Sequence, residues 1–132
     1  MDYADEGRIT ACGGYVRVDF GSCNHAELSA VYQAFASFCH DNKVTSALLK
    51  AGDNDPNGHY RLRDALTTMA QLSRIPAEFK LALIPSTRAI ESIYREAQQH
   101  LRAAGFNAWV FADEVEAVDW LEGRSRGGRA AS

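Results

Sequence analysis

Short apolar runs alternate with amphipathic helical patterns along this chain, and that alternation constrains its fold more than any other feature. Ser46–Ala51, Lys80–Pro85 and Asn107–Ala112 are brief, mostly apolar segments of the kind that form strands buried on both faces. Between and around them lie helix-spaced stripes. Leu28, Val31, Tyr32, Phe35 and Phe38 share one helix face, as do Ile90, Ile93, Tyr94, Ala97 and Leu101. Leu62, Ala65, Leu66, Met69 and Leu72 form a third stripe that stops before Pro76. Ahead of these, Arg8–Ala11 and Tyr15–Phe20 read as two strands joined by a turn at Cys12-Gly13-Gly14. The predicted order is therefore β-β-α-β-α-β-α-β-α. Helices between consecutive strands imply right-handed crossovers, so the expected fold is α/β, a mixed, mostly parallel sheet flanked by helices. The opening hairpin adds one antiparallel strand at an edge.

Punctuation supports these boundaries. Asn24 with Glu27 resembles a capping box, Ser86-Thr87 offer N-cap hydroxyls, and Asp113 with Glu116 opens a last short helix. Gly105 suits the residue just past a helix end. At 132 residues, 46% hydrophobic, the chain suits one domain with a sizeable core. We read residues 1–7 as a flexible N-terminus, 8–122 as the domain and 123–132 as a flexible basic tail. The formal net charge is −3, and the tail holds three arginines and no acid, so residues 1–122 carry −6. That balance argues against nucleic-acid binding. No apolar run is long enough to span a membrane, and the acidic first residues do not resemble a signal peptide, so the expected location is cytoplasmic. Cys12, Cys23 and Cys39 have neither disulfide-framework nor zinc-ligand spacing, so no metal is expected.

The order of elements and three stretches resemble the STAS-like family, the small bacterial relatives of anti-sigma-factor antagonists. The stretches are the hairpin strand Tyr15–Phe20 before a long helix, the Ser46–Ala51 strand running into a Gly/Asp/Asn loop, and the close Val110-Phe111-Ala112-Asp113-Glu114-Val115-Glu116-Ala117-Val118-Asp119-Trp120-Leu121. The resemblance covers residues 8–122 and implies a regulatory module. In that family a phosphorylatable Ser or Thr opens the second helix. This chain has none between Gly52 and His59, so the phospho-switch is not carried over.

Candidate chemistry concentrates in the loop after Ala51. Ligands of open α/β sheets bind beyond the carboxyl ends of strands. There Asp53, Asp55, His59 and Arg61 form the expected ligand-binding set, with Arg63 two residues further on. The expected function is a non-enzymatic module binding a protein partner or small ligand at this loop, with no cofactor and no catalytic residue. The alternative is a small enzyme using His59 as acid/base. A homodimer is compatible with either. A receiver-type phospho-acceptor is disfavoured because no lysine follows Lys80. Pro85-Ser86-Thr87-Arg88 can also hold a small anion, although ordinary capping explains the same residues. Trp109 and Phe111 share a strand face and are expected in the core, whereas the setting of Trp120 stays open.

Overall fold

A computed structural model describes residues 8–12, 14–42, 44–60 and 79–123. In chain order the elements are β1 (Ile9–Ala11), β2 (Val16–Asp19), β3 (Ser22–Cys23), α1 (His25–Asn42), β4 (Ser46–Lys50) and β5 (Asp53–Asn54). A 3-10 turn (Pro56–Tyr60) follows, then β6 (Lys80–Ile84), α2 (Arg88–Ala103), β7 (Asn107–Val110) and α3 (Glu114–Leu121). The expected helix between Ser46–Ala51 and Lys80 falls on residues 61–78, outside the described residues, as do residues 1–7 and 124–132.

Among the described residues the architecture is α/β, with a five-stranded sheet in the order β1-β2-β4-β6-β7 and three helices around it. The sheet is mixed. β1 pairs antiparallel with β2, while β2–β4, β4–β6 and β6–β7 are parallel. A further two-stranded parallel sheet, β3 with β5, has no counterpart in the expected order. Four residues of polar and turn-forming character, Ser22, Cys23, Asp53 and Asn54, give no alternation to detect.

Alternation along the strands divides the apolar residues between two faces. Val16, Val18, Ala47, Leu49, Leu81, Leu83 and Ala108 pack with the apolar stripes of α1 and α2 into the main core. Leu48, Ala82 and Ile84 point the other way and meet Ala117 and Leu121 of α3. Phe111 and Trp120 pack against this smaller cluster, their ring centroids 5.3 Å apart. Lys80 donates to the Trp120 carbonyl at 3.2 Å and lies over its ring, so Trp120 is a packing residue with a wet edge. Trp109, expected in the core, is half-buried at the sheet edge beneath the Arg102 guanidinium, 4.1 Å from its ring centroid. Gln98 accepts from the Val110 N–H at 2.7 Å, occupying a donor on that edge strand.

Helix ends follow the sequence signals. Asn24 and Glu27 cap each other's backbone N–H groups at 2.8 and 2.9 Å. Thr87 accepts from the Ile90 N–H, and Asp113 from that of Val115. Gly105, with φ +103°, turns the chain out of α2.

Glu114 anchors α3 to the sheet through Arg17 at 2.7 Å and Lys50 at 3.3 Å. The Arg17 hydrogen bond holds its carboxyl below the usual carboxylate range. This contribution is present above the unfolded carboxylate value and lost as pH falls through the lowered folded one. The groups remain partly solvated, so Glu114→Gln is expected to cost about 1 kcal/mol or less by urea denaturation at pH 7, with the difference shrinking in high salt.

Candidate functional site

The loop after β4 is built by close approach rather than by open turns. The Gly52 backbone lies against Gly21, so that a Cβ on Gly52 would sit 2.1 Å from the Gly21 carbonyl oxygen. Asn54 fastens the contact. Its amide nitrogen donates to Gly21 O at 2.9 Å, and its Oδ1 accepts the Gly52 N–H at 2.8 Å. β3–β5 pairing adds backbone bonds beside it. Ser86, at the end of β6, donates its hydroxyl to Gly52 O at 2.7 Å. The loops following β2, β4 and β6 are thereby tied together at the carboxyl edge of the sheet.

From this brace the 3-10 turn carries His59 into the molecule, where the side chain is fully buried. Gly58 makes the descent feasible, because a Cβ there would lie 2.3 Å from the buried Leu28 side chain. The imidazole meets Phe20, Tyr32 and Tyr94 edge-on, with centroids between 5.1 and 5.8 Å. Its Nε2 is 3.1 Å from Asn54 Oδ1, and its Nδ1 lies 2.7 Å from the Tyr32 hydroxyl and 3.1 Å from that of Tyr94. Asn54 Oδ1 already accepts from Gly52, so the amide orientation is fixed and Nε2 must carry the proton. Nδ1 then accepts from the tyrosines, whose hydroxyl oxygens are 3.5 Å apart.

Neutrality follows from the same arrangement. Burial pushes the His59 pKa down to about 4, opposed only in part by the Asp55 carboxylate. Burial likewise raises the Tyr32 and Tyr94 hydroxyls above their ordinary value. This is a closed set of uncharged hydrogen bonds inside an apolar core, saturated at each imidazole nitrogen. A general base needs its lone pair within reach of a substrate proton, and here that lone pair faces two tyrosine hydroxyls.

The expected ligand set does not converge. Asp53 lies on β5 with an exposed side chain, and Asp55 is exposed, its carboxylate accepting the Asn57 N–H at 3.0 Å in a local turn. His59 is buried, whereas both carboxylates are exposed. Arg61 and Arg63 lie outside the described residues. What the sequence reading missed is the partnership of His59 with Tyr32 and Tyr94. The signal was present, since Tyr32 and Tyr94 each interrupt an otherwise apolar stripe with a hydroxyl that burial obliges to find a partner. Tyr60, beside His59, is 55% exposed.

Tyr32→Phe and Tyr94→Phe, taken singly, are each expected to cost about 1 kcal/mol, since the other hydroxyl still serves Nδ1. The double variant leaves a buried acceptor without a donor and is expected to cost about 1–2 kcal/mol beyond the sum. Additive losses in urea unfolding would contradict the shared-acceptor geometry.

Among the described residues, two cavities adjoin the region. One of about 90 Å³ lies between His59, Tyr60, Ile93, Glu96, Ala97 and His100, space for a few waters. A larger cleft, of about 310 Å³, opens between the ends of β6 and β7. Among the described residues no three His, Cys, Asp or Glu side chains come together as a metal site. The Cys39 thiol is buried and pushed up to about 12 by that burial, which leaves it unreactive. No described helix is long and apolar enough to cross a membrane. Comparisons with protein-family models, curated proteins and solved structures find no match.

Proposed function

We propose that this chain is a non-enzymatic binding or regulatory module of STAS-like type, acting in the cytoplasm. It presents the loop bearing Asp53, Asp55 and Tyr60 to a protein partner or a small ligand. One observation carries this reading. The loop's acid/base candidate, His59, is buried and fully partnered, whereas Asp53, Asp55 and Tyr60 are exposed beside it on a braced backbone. Two carboxylates and an exposed aromatic ring supply recognition groups without supplying a reactive one. The buried network holds the presenting loop in place, so its energetics serve the surface.

Site-specific photo-crosslinking in cells that make the protein tests the reading. Probes at positions 55 and 60 are expected to capture the same species, and a probe at Ser92, exposed on α2, is expected to capture none of it. Equal capture from all three positions would overturn the proposal. So would an activity abolished by His59→Gln in a folded protein.

A further inference from the structure

We infer that the cleft between the ends of β6 and β7 is a second binding site, for a small organic anion with a flat apolar body such as an aromatic carboxylate. This site is separate from the surface proposed above and does not depend on it. β6 and β7 are parallel neighbours. The chain leaves β6 toward α2, which packs in the main core, and leaves β7 toward α3, which packs on the opposite face. Where adjacent parallel strands send their connections to opposite faces, the two loops diverge and leave a crevice at the carboxyl edge, the habitual ligand position in open α/β sheets. A cleft of about 310 Å³ is found at that place, within the range of small-molecule pockets.

The lining defines the ligand. Pro85, Val110 and Phe111 form an apolar wall, each partly accessible. Arg88, Glu91 and Arg95 supply the charges of the lining. Glu91 is held by Arg95 at 3.0 Å, so that pair is internally neutralised. Arg88 is exposed and remains as the surplus cation of the lining. Thr87 already caps the start of α2, so the helix end is occupied and the recognition rests on the Arg88 guanidinium beside the apolar wall. A guanidinium takes a carboxylate through two parallel hydrogen bonds, while a flat ring fits against proline, valine and phenylalanine. Ala112 leaves the rim open, since its methyl group is the smallest side chain that could stand there.

Two-dimensional NMR titration of the 132-residue chain with benzoate tests this, with benzyl alcohol and inorganic phosphate as the apolar-only and anion-only probes. Benzoate is expected to give saturable shifts confined to residues 85–88 and 110–112. Its dissociation constant is expected to rise at least fivefold in Arg88→Gln. Ala112→Trp, which fills the rim from an exposed position, is expected to abolish the shifts while leaving the thermal midpoint nearly unchanged. Absence of saturable shifts at those residues would overturn the inference. Benzyl alcohol or phosphate binding as tightly as benzoate, or an affinity unchanged in Arg88→Gln, would overturn it too.

Discussion

Lowering the pH from 7 to 4 is expected to remove about 3 kcal/mol of stability through His59 alone. The folded imidazole is pushed down to about 4, against about 6.5 for an unfolded histidine. Each tenfold change in proton affinity is worth about 1.36 kcal/mol, which sets the size of the effect. The sign follows from proton counting. Between these two values the unfolded chain binds a proton that the folded chain refuses, so stability rises with pH across that window and is lost on acidification. Below about 4 both states are protonated and the contribution stays lost.

Carboxylates such as Glu114 contribute in the same direction, so the test must isolate the histidine. His59→Gln removes the titrating group while keeping a hydrogen-bonding side chain of similar reach. At pH 7 the variant is expected to be less stable, because its amide cannot reproduce both the bond to Asn54 and the acceptance from the tyrosines. Between about pH 6.5 and 4, however, its urea midpoint is expected to fall much less than that of the unsubstituted chain. Parallel pH profiles for the two proteins would show that His59 is not held neutral by its surroundings.

The frame of this fold is legible in the sequence because the helices carry periodic apolar stripes and the central strands short apolar runs. Ala47-Leu48-Leu49, for instance, is the unbroken run of a strand buried on both faces, and its residues pack into both clusters. The caps at Asn24, Thr87 and Asp113 are local hydrogen-bond arrangements, and local arrangements can be read from neighbours in sequence. The candidate site was read differently because its bonds are not local. Asp53, Asp55 and His59 are near in sequence and suggest one cluster, yet Tyr32 and Tyr94, 27 and 35 residues from His59, decide where the imidazole points. Turn-forming residues hid a second fact. Asn54 reads as one more loop residue, but it pairs within a short strand, fixes the histidine tautomer and ties two loops together.

Gly52→Ala is expected to be the most damaging small substitution among the described residues, costing about 3 kcal/mol or more. The added methyl group would lie 2.1 Å from Gly21 O and 2.7 Å from Gly21 C. These are backbone atoms, so no rotamer change can relieve the overlap; the two loops must separate. Separation breaks the Asn54–Gly21 bond and the β3–β5 pairing, and it withdraws the acceptor from His59 Nε2. The imidazole N–H would then be buried without a partner, which adds to the steric cost. Gly14→Ala provides the control, since a Cβ there meets nothing within 4 Å, and its effect is expected to stay within about 0.5 kcal/mol. Hydrogen exchange distinguishes the local consequence from a general weakening. In Gly52→Ala the amides of 21–23 and 52–60 are expected to lose protection first, ahead of those in β4 and β6. If Gly52→Ala were tolerated with a loss below about 1 kcal/mol, the two loops could not be in contact as described. The brace beneath the exposed Asp53, Asp55 and Tyr60 surface would then have to come from elsewhere in the fold.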